Sequence, residues 1–217
     1  MTVSWETFVP EVEKHVVAPW PMLIESIRDA AIMFCEKTRI VRENLDPIDS
    51  VVDQRSYNIA PADTTNTRIV TVISGQYDDR PIYPLTEEFI DHAAPYSRTL
   101  GGIYYGYRLD SPTVLTLTFD PSEVIEDAIV LRVATKPTVD SSLGDDTLYY
   151  DYRDDIAAGA VLRLLSSPGV HPWKKGVSAT THKGLEAQWN AAIGDAAWQA
   201  YKGRTTGDVR VKKRRFS

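Results

Sequence analysis

Five aspartates, Asp145, Asp146, Asp151, Asp154 and Asp155, could be read as a metal cluster. Hard cations need several oxygens converging on one point. These acids spread along a segment of helical period with no Gly-containing loop, so they read as a capped, solvated face. His15, His92, His171 and His182 are far apart, with no pair spaced as in H-E-x-x-H. A catalytic triad needs a nucleophile beside a base and an orienting acid. No G-x-S-x-G supplies one. Cys35 sits among Ala31, Ile32 and Phe34 and reads as a small core residue. Gly101-Gly102-Ile-Tyr-Tyr-Gly106 lacks the Lys-Ser/Thr of a P-loop and opens no helix, so it reads as a turn into a tyrosine-rich strand. Tyr104, Tyr105 and Tyr107 could stack bases as sheet-type RNA binders do, but only Arg108 is a basic neighbour. Sheet core or protein interface fits them better. The residues assign no catalytic, cofactor-binding or metal-binding role, and the expectation is a protein that is not an enzyme.

The chemistry these residues do offer is electrostatic. Residues 203–217, GRTTGDVRVKKRRFS, carry six Lys or Arg against one Asp, a net of +5. The whole chain is −6, so residues 1–202 carry −11. A basic end on an acidic body seeks anions: nucleic acid, an acidic protein surface or a membrane. Within it, Val209 and Val211 alternate with Arg210 and Lys212, so the segment can extend like a strand along a groove. Lys213, Arg214 and Arg215 continue the charge, and Phe216 offers an apolar anchor beside it. Attraction to an acidic groove or to DNA would weaken with salt.

The elements that must carry this end run helix, strands, helix. Residues 19–41 repeat apolar side chains at Leu23, Ile27, Ala30, Ala31, Phe34, Ile40 and Val41, close to helical period, with Pro19 and Pro21 suited to a helix start. A short first helix is expected at about 4–16, interrupted by Pro10. From 48 to 137 the chain changes to short runs rich in Val, Ile, Thr and Tyr, at 48–52, 56–59, 68–74, 81–84, 103–109, 113–119 and 129–134. Turn signals bound them, and Asp110-Ser-Pro112 reads as a hairpin. Residues 86–97 open with Thr86 and Glu88 and read as a short helix.

The last third is helical again. Residues 145–167 place Tyr149, Tyr152, Ile156, Gly159, Ala160 and Leu164 on one stripe, and Pro168-Gly169 ends it. Residues 181–202 place Leu185, Trp189, Ala192, Ile193, Ala196 and Ala200 on another. The fold class is α+β. Helices from both ends of the chain (1–44 and 141–203) form an antiparallel bundle, 45–140 is an inserted β-rich domain, and 204–217 is an extended basic tail.

A single cysteine rules out an intramolecular disulfide and suits a reducing cytoplasm. No run reaches the ~18–20 apolar residues that span a bilayer. The opening MTVSWETFVPEVEK lacks the basic start and apolar core of a signal peptide. A protein with no membrane partner, made in the cytoplasm, is expected.

The segment from Tyr149 through Phe216 resembles the C-terminal half of tailed-phage head–tail adaptor (connector) proteins. The shared features are the acidic-aromatic lead LYYDYRDDIAAGAVLRLLSSPG, then Pro172-Trp173, a long helix with GLEAQWNAAIGDA, and a basic end RVKKRRFS. The resemblance implies a structural virion protein at the head–tail interface, made in the host cytoplasm. It implies a homo-oligomeric ring, of about twelve copies, between the portal protein and the next tail component, with genomic DNA passing through its channel. Arg210, Lys212, Lys213, Arg214, Arg215 and Phe216 would then dock on the portal. Tyr104, Tyr105, Tyr107, Trp189 and Trp198 would serve the core or the contact between subunits. The alternative from another class is a nucleic-acid-binding protein that uses the basic tail directly. The sequence favours the first reading: the body is acidic, and the aromatics do not interleave with the basic run.

Overall fold

The computed structural model describes residues 2–85, 105–169, 171–173 and 177–208, the last six by backbone alone. The helix expected at 86–97 lies outside the described residues, as do Tyr104 and 209–217. In chain order the elements begin with β1 (Thr2–Ser4), a 3-10 turn (Trp5–Phe8), α1 (Val9–Glu13) and α2 (Trp20–Thr38). There follow β2 (Arg42–Asn44), β3 (Ser56–Asn58), β4 (Thr67–Tyr77), β5 (Arg80–Pro84), β6 (Gly106–Ser111), β7 (Val114–Leu117), β8 (Ile129–Pro137) and β9 (Leu143–Asp145). Two helices close the chain, α3 (Asp146–Ser166) and α4 (Ala179–Asp208). The fold is α+β, with helices from both chain ends and a β-rich middle. Contacts divide it into two compact units, Met1–Ile40 with Ser142–Ser217, and Val41–Ser141.

In the helical unit the first turn is split. Ser4 caps the 3-10 turn, and Pro10 falls in the opening turn of α1, where a missing N–H breaks no helical bond. The expected continuous helix is therefore a 3-10 turn followed by a short α-helix. β1 pairs antiparallel with β9, a ribbon too short to show in the sequence pattern. α2 stops at Thr38, short of the expected 41, because Arg39 turns left-handed (φ 54°) and its N–H closes on the Cys35 carbonyl at 2.8 Å. Asp145 caps α3 by accepting from the Thr147 N–H at 2.9 Å. Tyr152 leaves helical geometry (φ −132°, ψ 19°), so α3 is kinked there. Leu148, four residues before Tyr152, is the buried residue of the first turn, and Tyr149 is half-buried, edge-on to Phe8 at 5.3 Å.

Three helices meet around Trp189 of α4. Its ring lies 5.6 Å from that of Phe34 on α2, which in turn lies 5.0 Å from Tyr152 on α3. A Cβ added at Gly159 of α3 would fall 2.5 Å from the Trp189 ring, so only glycine leaves room for it. Phe34 meets Tyr152 and Asp29 ion-pairs with Arg163, so α2 and α3 run antiparallel. Tyr152 bonds Gln199 while Gly159 meets Trp189, so α3 and α4 also run antiparallel. α4 continues through 204–208, residues the sequence places in the tail.

The other unit is a seven-stranded sheet of order β2-β8-β4-β5-β6-β7-β3. It curls into a half-barrel, so residues from both edges (Leu45 beside β2, Tyr57 on β3) share one apolar core with Ile129, Leu131 and Val133 of β8. β4 buries Ile69, Val72 and Gly75, spaced by three rather than two. A register shift between each pair of them restores the same face. The turn expected at 75–79 shrinks to Asp78-Asp79, because Gly75 to Tyr77 stay paired with β5. Both aspartates have positive φ (47° and 58°), the backbone of a two-residue type I′ hairpin. The β6–β7 hairpin forms around Pro112 and Thr113. The run 48–52 is not a strand. Ile48 makes one bridge to Ile129, Ser50 is tied by its hydroxyl to Glu123 and Ile125, and Val51 and Val52 are exposed. β2 is a strand the sequence places within the bundle.

Arg55 holds Asp120 in a forked ion pair beside the β3 edge, and this hydrogen bonding depresses the Asp120 carboxyl below its ordinary value. Arg108 and then Thr116 do the same for Asp110.

Two outcomes follow from this packing. Gly159→Ala should destabilise the helical unit by about 1–3 kcal/mol in urea unfolding, although Ala is the better helix former, because the Trp189 ring must move. Lowered carboxyl values mean stability that is present above about pH 4 and lost as pH falls through the folded-state value. The stability gap between wild type and Asp120→Asn should therefore close on acidification, as read by urea midpoints at each pH.

Candidate functional site

α4 is the element that leads to the basic end of the chain, and its two faces differ. Leu185, Trp189, Ala192, Ala196 and Ala200 are buried against the other helices. The opposite face exposes Gly184, Ala187, Ala191 and Gly194, followed by Trp198 and Tyr201. Ser178 starts the helix by accepting from the Thr181 N–H at 3.1 Å. On this outer face nothing lies within 4 Å of a Cβ added at Gly184 or Gly194. Trp198 is 56% exposed and stacks on Tyr201 at 5.7 Å, with the Lys202 ammonium 5.3 Å from the indole centroid. Large aromatics half in water beside a cation are a recognition surface in type: they bring area with little rotamer freedom to lose.

Beside α4, the first turns of α3 line an open groove of about 380 Å³ with Tyr149, Tyr150, Asp151, Asp154, Asp155 and Gln188. Tyr150 is 76% exposed. Gln188 of α4 donates to Asp155 at 3.0 Å and ties the groove to the helix. Arg153 lies over the Tyr149 ring and 3.6 Å from Glu11, which offsets part of the negative charge. Burial, then Asp151, Asp155 and Asp195, push the Tyr152 hydroxyl upward, so it stays a neutral donor to Gln199.

The sequence-selected residues divide as follows. Trp189 is core, and Trp198 is exposed at the far end of the same helix. In the β unit Tyr107 is buried in the sheet core. Tyr105 is half-buried, stacked on Tyr77 at 6.2 Å and edge-on to Phe119 at 4.8 Å. Arg80 donates to its hydroxyl at 2.8 Å. Tyr105 and Tyr107 therefore pack the sheet. Tyr104, and Arg210 through Phe216, lie outside the described residues. Of the potential catalytic groups, Cys35 is fully buried. His171 is stacked on Trp173 at 4.3 Å and bonded to the Pro168 carbonyl. Among the described residues no three His, Cys, Asp or Glu gather as metal ligands would. Among them, no helix is long and apolar enough to cross a membrane.

Sequence reasoning passed over Tyr150, Tyr201 and Lys202. Tyr201 falls off the buried stripe of 181–202, which is the signal the sequence carries for it. No family model matches the chain, and no curated protein matches it.

If Trp198 and Tyr201 serve recognition and not folding, Trp198→Ala and Tyr201→Ala should each change stability by no more than about 0.5 kcal/mol. Chemical unfolding at low protein concentration reads this directly. A loss of about 2 kcal/mol or more would place them in the fold.

Proposed function

We propose that this protein is a structural docking subunit, a head-to-tail adaptor that forms a ring between a portal and the next tail component of a virion. The observation that supports it most is α4. A helix of 30 residues uses one face for the bundle, presents Trp198, Tyr201 and Lys202 near its end, and runs directly into the basic segment. That layout suits a subunit anchored by its terminal helix and tail, and the resemblance of 149–216 to adaptor sequences points the same way. In this reading Arg210, Lys212, Lys213, Arg214, Arg215 and Phe216 dock on an acidic groove of the portal. The acidic body has its own use: an anionic channel repels the DNA backbone and lets it slide without sticking.

The test is electron microscopy of portal-bearing capsids mixed with the full chain or with a chain ended after Asp208, the last residue of α4. The full chain should add a ring of density below the portal and the shortened chain should not. Absence of density with both, together with a salt-sensitive shift of DNA by the full chain, would replace this reading with direct nucleic-acid binding through the basic end.

A further inference from the structure

We propose that α4 is also a self-association helix, which pairs antiparallel with α4 of a second copy of this chain. Gly184, Ala187, Ala191, Gly194, Trp198 and Tyr201 are spaced three, four, three, four and three residues apart. That is the spacing of a seam between two helices. All six are exposed, opposite the stripe that packs on α2 and α3. The two glycines are not needed by the fold. Nothing lies within 4 Å of a Cβ added at either, in contrast to Gly159 under Trp189. Glycine in an exposed helix interior weakens the helix. A bare backbone there is useful only if something outside comes close.

The occupant follows from size and charge. In an antiparallel pair of this seam, Tyr201 of one copy falls opposite Gly184 of the other, Trp198 opposite Ala187, and Gly194 opposite Ala191. Each exposed aromatic meets a small residue, so the surface is complementary to itself. A parallel pair would set aromatic against aromatic and leave the glycine end hollow. The flanks agree. The same register brings Lys202 beside Gln188 of the other copy, at the edge of the groove lined by Asp151, Asp154 and Asp155. Lys202 and Lys183 of the other copy stand level in this register, on opposite flanks of the seam. The one like-charge contact is Asp195 with itself, across the twofold axis. The seam is about 25 Å long. With four half-exposed aromatics it buries on the order of 1,000 Å², the size of a weak, reversible pair.

Twofold pairing closes on itself and does not propagate into a ring. For a ring subunit it is the stored form, with the aromatic end of α4 covered. The pairing does not depend on the ring reading, since it concerns the chain free in solution.

Sedimentation velocity of the full chain over a concentration series should show a monomer–dimer equilibrium in the micromolar range. Gly194→Gln should weaken it about tenfold or more while leaving the thermal midpoint of the monomer unchanged or higher, which separates a lost interface from a lost fold. Asp195→Asn should tighten it. Register is read by disulfide trapping: Ala191→Cys and Gly194→Cys chains should cross-link when mixed, and neither should cross-link efficiently alone. A chain that stays monomeric well above micromolar concentration, a dimer indifferent to Gly194→Gln, or trapping of Ala191→Cys with itself would each overturn the proposal. Failure of ring addition on capsids would leave these results unaffected.

Discussion

Trp189 in the notch above Gly159 is the contact on which the helical unit depends. The indole fills the space between α2, α3 and α4, and it does so only because α3 carries no side chain at 159. Ridge-and-groove packing normally keeps helix axes about 8–10 Å apart. A glycine lets one helix admit a large ring at no loss of packing density, so a single Trp can serve three elements. Phe34 then contacts both Trp189 and Tyr152, and the kink at Tyr152 lets its hydroxyl reach Gln199 while its ring stays on Phe34. With one face of α4 fixed in this way, its remaining faces are settled by geometry: what is not buried must be presented.

The β unit solves a different problem. A sheet of seven strands has two faces and two edges, and a chain segment of about 100 residues has little apolar surface to cover them. Curling lets one face close on itself, so that Leu45 and Tyr57 from opposite edges join the same core. The two register shifts along β4 supply local bending and keep Ile69, Val72 and Gly75 facing inward. The aromatic group of Tyr77, Tyr105 and Phe119 packs where the β4–β5 hairpin and β6 come together, with Arg80 closing over it. Tyr105 and Tyr107, which look in sequence like part of a binding strip, are in this way committed to the sheet.

Charge and shape together frame the function proposed for the chain. Its acidic body and basic end give it two surfaces of opposite preference, and α4 joins them. A ring subunit needs that division, because it must hold a protein partner while DNA passes without binding. A self-pairing seam on the same helix adds a way to keep the exposed aromatics covered when no partner is present. Both proposals place the working surface on one helix whose other side is already committed to the core.

The helical period of α2, α3 and α4, the hairpin after Asp110 and the burial of Cys35 were legible in residue order, because each depends on near neighbours. So was the charge division between body and end, which is composition alone. Other features were not. Leu148 took the core position expected of Tyr149, and the run 48–52 became a tethered loop because Ile48 found a single partner on β8. The bulges of β4 hid its inward face behind a spacing of three. Strands as short as β1, β2 and β9 have no pattern of their own and exist only through their pairing partners. The stripe of α4 through Leu185, Trp189, Ala192, Ala196 and Ala200 was legible as the buried face, but what the opposite face from Gly184 to Tyr201 meets was not. Periodicity is local and survives in the sequence. What each stripe packs against depends on contacts between residues far apart in the chain, and only the tertiary structure decides it.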